Sequence, residues 1–166
     1  MDDLVAHLPR LRRYARALTG DRHLADDLVQ DTLERALARS ALWRRGSKLD
    51  AWLLTIMHNL FVNQLRARAR HATEALDDLP AEPAQRAQQG DALEVRDLQA
   101  ALMALPVEQR SVLLLVTLDE RSYEETARIL DLPVGTVMSR LSRARERLRQ
   151  LLDTGVHAPP ALRVVK

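Results

Sequence analysis

Cysteine is absent from the 166-residue chain. Disulfides and thiolate metal sites are therefore excluded, and a reducing compartment is compatible with the composition without being required by it. Aromatic residues are almost missing as well: two Trp, two Tyr and one Phe make up 3% of the sequence. With β-branched residues also sparse, too little is left of the side-chain chemistry that a sheet of ordinary size needs. Glycine is limited to five positions. No apolar run is long: the densest, Val112 to Val116, falls far short of the ~20 residues that cross a bilayer as a helix. The start, Met1-Asp2-Asp3, is acidic where a secretory leader would be basic. A soluble, cytoplasmic protein without membrane insertion is expected.

What remains is rich in Leu, Ala, Arg, Glu and Asp, so any core must be assembled from aliphatic helix faces. An all-α fold is expected, in one domain or two small ones. The net charge of +2 hides an uneven distribution. From Arg44 to Arg70 there are six Arg/Lys against one acid, and from Val134 to Arg149 five Arg against Glu146 alone. Between them, Ala72 to Asp97 carries seven acids against two Arg. Two basic segments around an acidic one imply two polyanion contacts joined by a spacer that avoids the polyanion. Solvated helix faces are the simpler alternative for either segment alone.

Helical periodicity organises the first half. Leu4, Leu8, Leu11, Ala15 and Leu18 form one stripe, with Pro9 in or near the first turn and Gly20 as breaker. Asp21 is the expected N-cap of a second helix, whose apolar pairs run from Leu24/Ala25 to Ala36/Leu37. Its opposite face shows an acidic ridge of Asp27, Gln30, Asp31 and Glu34. A loop through Trp43, Arg44 and Arg45 leads to a third helix, with Ser47 and Asp50 spaced as a capping box and Leu49, Leu53, Ile56 and Leu60 turned inward. Its end is polar and basic: Asn59, Asn63, Gln64, Arg66, Arg68 and Arg70. Three arginines at spacing two cannot share one face. From His71 to about Gly90 periodicity fails, and Pro80, Pro83 and the acids read as a flexible linker.

Four helical segments follow. Leu93 to Leu105 is the first, and Pro106 opens a second to about Leu118. Ser122 and Glu125 form a capping-box pair before a short helix with Tyr123, Ala127 and Leu130 inside. After the turn Asp131-Leu132-Pro133, a final helix buries Val137, Leu141, Ala144 and Leu148. Short helix, tight turn and arginine-rich helix describe a helix-turn-helix, whose second helix enters the DNA major groove. Thr136, Met138, Ser139, Arg140 and Arg143 are then placed to reach base edges, and Arg145, Arg147 and Arg149 to neutralise phosphates. A coiled-coil or peptide-binding helix is the alternative. After Asp153 the tail reads as disordered.

Three segments resemble the signatures of extracytoplasmic-function sigma factors of bacterial RNA polymerase. They are Ala25-Asp26-Asp27-Leu28-Val29-Gln30-Asp31-Thr32; Trp52-Leu53 with Ile56 and Asn59; and Ser122-Tyr123-Glu124-Glu125-Thr126-Ala127 with Pro133-Val134-Gly135-Thr136-Val137 and Ser139-Arg140. The resemblance covers nearly all of residues 4–150 in the family's order. It implies a region-2 helical bundle over residues 1–71, a flexible acidic linker over 72–92, a region-4 helix-turn-helix domain over 93–152 and a disordered tail over 153–166. It further implies that Asp27, Gln30, Asp31 and Glu34 dock on the coiled coil of the polymerase β′ subunit, with the β flap as a further contact of core polymerase. Trp43, Arg44, Arg45, Lys48, Asn59, Asn63, Arg66, Arg68 and Arg70 would hold the −10 promoter element as single-stranded DNA. Thr136, Met138, Ser139, Arg140, Arg143, Arg145 and Arg147 would read the −35 element. An anti-sigma factor is the implied regulator, and no cofactor or metal is implied.

Asn63 stands where the family often has Asp, and Met138 where many members carry a polar or basic residue; both bear on promoter preference. An enzyme is the first rival, but the histidines at 7, 23, 58, 71 and 157 make no metal-ligand spacing and no phosphate loop or nucleophile motif occurs. His58 is expected as a DNA contact or surface residue. An autonomous helix-turn-helix repressor would footprint a palindrome by itself. A sigma mimic would bind an anti-sigma protein and not DNA, which the arginine-rich last helix argues against.

Overall fold

A computed structural model describes residues 3–44, 46–74 and 92–155 of the chain. Among these, every regular element is helical: α1 (Leu4–Thr19), α2 (Arg22–Ala38), a 3-10 turn (Ser40–Leu42), α3 (Leu49–Glu74), α4 (Ala92–Ala104), α5 (Val107–Thr117), α6 (Tyr123–Leu130) and α7 (Val134–Asp153). The chain is all-α, with α1–α3 and α4–α7 as its two helical modules. Most of the proposed linker and of the tail lies outside the described residues.

The α1–α2 turn is local chemistry. Gly20 adopts φ +70° and donates its N–H to the Arg16 carbonyl at 2.9 Å, and the Asp21 carboxylate accepts from the Leu24 N–H at 2.9 Å. A Cβ on Gly20 would stand 2.6 Å from Met103 Sδ, so glycine here also permits α4 to approach. Pro9 lies deeper than expected, in the second turn of α1. The bond it forgoes is the one to the Val5 carbonyl, and Val5 is well exposed, so water is at hand. Inside α2, the fully buried Thr32 satisfies its hydroxyl on the Leu28 carbonyl at 2.7 Å.

Two expectations for α3 are corrected. Its start is not a Ser47/Asp50 box: the Ser47 hydroxyl donates to the Arg44 carbonyl at 2.8 Å, and Asp50 is drawn to distant arginines. Its end runs to Glu74, so the helix outlasts the loss of apolar periodicity. The buried arc is also wider than the Leu49, Leu53, Ile56, Leu60 stripe. Leu54, Met57 and Phe61 are buried too, because α3 packs on α2 on one side and on α6 on the other.

In α5 the run Ser111 to Leu115 is buried all round, as a helix enclosed by α1, α6 and α7 must be. Ser122 and Glu125 make the expected reciprocal capping box at α6. Asp131, at φ +53°, closes α6 and directs the chain through Leu132 and Pro133 into α7. The α5–α6 loop also holds a left-handed residue without being glycine: Glu120, at φ +52°. Its neighbours are pinned, Asp119 N–H on the Leu114 carbonyl at 3.0 Å and Arg121 N–H on the Leu115 carbonyl at 2.9 Å.

One hydrophobic core runs through both modules, and a buried cation sits at their junction. Arg110, 4% exposed, donates to the carbonyls of Leu102 (2.8 Å), Met103 (3.0 Å), Leu105 (3.0 Å) and Leu18 (2.8 Å). These carbonyls lie at and just beyond the C-terminal ends of α4 and α1, where the helix dipoles are negative, and only that of Leu102 is also shown accepting a backbone bond there, from the Leu105 N–H at 3.2 Å. Burial pushes the guanidinium pKa down, and the converging carbonyls take the place of a carboxylate partner. Arg110→Met keeps the volume but strands those oxygens; a loss of about 2–4 kcal/mol of unfolding free energy is expected from urea titration, and an unchanged midpoint would refute the role.

Candidate nucleic-acid and polymerase interface

The ridge residues Asp27, Gln30, Asp31 and Glu34 are all exposed on α2, as the periodicity required. Gln30 Nε2 donates to Glu34 Oε1 at 3.1 Å, and Gln64 Nε2 on α3 donates to Asp31 Oδ2 at 3.0 Å. A cleft lined by Leu24, Asp27, Gln30, Asp31, Gln64 and Arg68 joins the two helices. Arg68 therefore belongs with the ridge. The ridge is a composite of α2 and α3, which helix-by-helix periodicity could not show.

On the other side of α3, Asn59, Asn63, Arg66 and Arg70 recur at spacings of four, three and four and so share one exposed stripe. Arg68 points roughly half a turn away from it. Of the preceding loop, Trp43 is half-buried with its indole Nε1 enclosed and without a hydrogen-bond partner, Arg44 is exposed, and Arg45 lies outside the described residues. Lys48 is exposed but not free: its ammonium pairs with Glu125 at the start of α6. That pair, with the Ser122 backbone bond, holds the Glu125 carboxyl below its ordinary pKa.

The α7 residues divide similarly. Thr136, Arg140, Arg143 and Arg147 fall on one stripe by the same spacing, with Ser139 beside it, whereas Met138 and Arg145 lie on the opposite flank of the buried Val137, Leu141 and Ala144. Arg143, Arg145, Arg147, Ser139 and Met138 are exposed; Thr136 and Arg140 are half-buried. Glu146 pairs with Arg149 at 3.2 Å.

Arg140 is half-buried because it faces α3. It lines a cleft of about 390 Å³ between the modules, with His58, Val62, Leu65 and Arg66 on the α3 side and Val107, Glu108, Leu130 and Leu132 on the other. His58 is a correction to expectation: it is an interior group of this cleft, with Nδ1 buried and unpartnered. Burial first, and then the positive charge of Arg140, push its pKa down to about 4 against the opposing pull of Glu108. Among the described residues no His/Cys/Asp/Glu cluster suited to a metal occurs, and no helix is long and apolar enough to cross a membrane.

The sequence reading missed a set of charges that joins the modules. Arg121, 4% exposed at its side chain, donates to Asp119 Oδ2 at 2.7 Å and to Asp50 Oδ2 at 2.5 Å. Arg10 reaches the same two carboxylates, Asp119 Oδ1 at 2.5 Å and Asp50 Oδ2 at 3.2 Å. Burial raises the Asp50 pKa, but the Arg121 hydrogen bond, the Ala51 N–H and the two cations outweigh it and hold the carboxyl below its usual value. The pairs in this cluster that join residues 40 to 109 positions apart leave no periodic signal in sequence.

A basic stripe on each of two modules and a helix-turn-helix in the second define a protein that works on DNA. Residues 4–58 match the family described as the Sigma2 domain of PhyR, and residues 96–148 match Sigma-70, region 4. The chain is 44% identical over 155 residues to the ECF RNA polymerase sigma factor EcfG of Rhodopseudomonas palustris, covering 91% of this chain and 83% of that protein. It is 37% identical to the ECF sigma factor SigM of Mycobacterium tuberculosis, with 91% and 77% covered. A solved structure of the sigma factor RpoE with the anti-sigma factor NepR, from Bartonella quintana, superposes with a TM-score of 0.81 at 38% identity, over 92% of this chain and 95% of that one. The chain belongs to the ECF RNA polymerase sigma factors.

The placement of His58 sets a pH dependence. Its pKa in the folded chain is about 4, below the ordinary 6.5, so unfolding takes up a proton between those values and stability falls as pH drops from 6.5 towards 4. Arg140 and Arg66 face it with positive charge and Glu108 with negative. A melting temperature roughly 3–6 °C lower at pH 5 than at pH 7.5 is expected, with His58→Gln losing distinctly less; equal losses in the two proteins would exclude His58 as the cause.

Proposed function

We propose that this chain is a promoter-recognition subunit that binds core RNA polymerase, recognises the −10 and −35 elements and is held in check by an anti-sigma factor. It acts in the cytoplasm, and catalyses no reaction itself. The observation that carries this is the pairing of two cationic stripes, Asn59/Asn63/Arg66/Arg70 on α3 and Thr136/Arg140/Arg143/Arg147 on α7, with an acidic ridge on the far side of the first. Membership of the sigma-factor family supplies the partners that such surfaces fit.

In this reading residues 1–71 are region 2, 72–92 the linker, 93–152 region 4 and 153–166 a tail. Asp27, Gln30, Asp31 and Glu34 receive the basic face of the β′ coiled coil. The exposed apolar side chains of α4, Val95 and Leu98, offer region 4 a contact for the β flap. Trp43, Arg44, Arg45 and Lys48 with the α3 stripe hold the −10 strand by stacking and phosphate contact. Arg140 and Arg143 read base edges in the −35 major groove, where Arg bridges guanine O6 and N7, while Arg145 and Arg147 take phosphates. Met138 and Arg145, on the other flank of α7, contribute at the groove wall.

A sigma mimic that captures an anti-sigma protein is the competing reading, prompted by the PhyR name of the region-2 match. The exposed arginines of α7 favour the DNA-binding reading, since a mimic has no use for a cationic major-groove helix.

Transcription in vitro with core polymerase on a randomised promoter library tests the proposal; no transcript starts above those of core alone would overturn it. Asp31→Arg should abolish co-elution with core polymerase while leaving the melting temperature within a few degrees. Arg140→Ala and Arg143→Ala should each weaken −35 recognition by about 1–3 kcal/mol, measured as promoter occupancy, and full occupancy by both variants would remove them from base reading.

A further inference from the structure

We propose that α3 supplies the second half of the polymerase-docking surface: Gln64 fixes the aim of Asp31, and Arg68 takes a carboxylate that the polymerase helix carries within a turn of its basic residues. This deepens the polymerase-binding reading above and rests on it.

Two rows of side chains border a cleft of about 310 Å³. Asp27 and Asp31 stand one turn apart on α2, and Gln64 and Arg68 one turn apart on α3. The half-buried Leu24 adds an apolar patch on which the stem of an incoming Arg or Lys can lie. The cleft is therefore not uniformly acidic. Arg68 is exposed, and its guanidinium makes no hydrogen bond or ion pair with any described residue, although two aspartates line the same cleft. Toward a wholly basic partner that cation is a liability, since it repels what the aspartates attract. Toward a helix of mixed charge it is a selective contact. A planar guanidinium grips a carboxylate through two parallel hydrogen bonds, and it rejects a partner that is basic at that place. Side chains three or four residues apart share a helix face, so a helix with a basic and an acidic residue at that spacing matches the cleft.

Gln64 acts differently. From a half-buried position its amide Nε2 donates to Asp31 Oδ2 at 3.0 Å, so it orients the carboxylate without neutralising it, as a cation in its place would. Gln30 holds Glu34 in the same manner at 3.1 Å. A carboxylate aimed beforehand loses less freedom when a partner binds.

Equilibrium titration of the dye-labelled full chain with core polymerase, without DNA, tests both roles. The sequence has no cysteine, so Gln150→Cys on α7 carries the dye alone in every variant. Arg68→Ala should weaken binding about fivefold and Arg68→Glu more than about tenfold, although both make the ridge more negative; Arg68→Lys should recover part of the loss. Equal or tighter binding by Arg68→Ala and Arg68→Glu would overturn the role of Arg68. So would unchanged core affinity with lost promoter opening, which would return Arg68 to the −10 strand. Gln64→Ala should weaken binding about threefold in the wild-type chain and hardly at all beside Asp31→Ala. Equal losses in the two backgrounds would show that Gln64 does not act through Asp31. A melting temperature within a few degrees of wild type confirms that each variant is folded. Wild type that fails to bind core polymerase would instead overturn the reading of the ridge on which this proposal stands.

Discussion

A single guanidinium sits where two helices from different parts of the chain come to an end. Arg110 takes the last carbonyls of α1 and α4 on one rigid fork, so those helices cannot slide past α5 without exposing oxygens to a dry interior. The position of α1 against α5 follows from it, as does the close approach of Met103 to Gly20. Once α1 and α5 are fixed, Arg10 and the α5–α6 loop are brought to the same place, and the ion cluster can form. The apolar core supplies most of the driving force for folding but is not directional; the buried cation decides how the modules meet.

That meeting has a functional cost. The side chains best suited to nucleic acid are arginines and lysines on helix faces and loop ends, and the same cations serve as interdomain partners when the modules close. Lys48 is exposed but paired with Glu125, and Arg140 is half-buried in the cleft, whereas Asn59, Asn63, Arg143 and Arg147 are exposed without such a tie. The acidic ridge on α2 lies clear of the ion pairs at the junction.

Much of the fold was legible because it is local. Gly20, Asp21, the Ser122/Glu125 box and the Asp131-Leu132-Pro133 turn act within a few residues of themselves, and the structure has each where the sequence puts it. The stripe of Val137, Leu141 and Ala144 was likewise fixed by a period of 3.6. Failures came where a residue answers to something distant. Ser47 and Asp50 have the spacing of a capping box, but Asp50 is claimed by two arginines of remote origin, and a buried ion pair outbids a cap. His58 sits on a helix that reads as half polar, yet α5 and α7 close over it. Arg66, Arg68 and Arg70 could have been sorted from spacing alone, since only the first and last keep step with Asn59 and Asn63. The roles proposed for the ridge and the α3 stripe rest on resemblance, and those for α7 on the helix-turn-helix pattern as well, because surface charge has no single meaning.

The backbone at Glu120 bears on mutability. A side chain at φ +52° costs on the order of 1 kcal/mol that glycine would not, so substitution by glycine relieves strain in the native loop while adding freedom to every other state of it. Between the pinned amides of Asp119 and Arg121, that added freedom blurs the aim of two buried charges. Drift at this position is therefore hemmed in by entropy, and a variant more comfortable in its torsion angles would make a looser hinge.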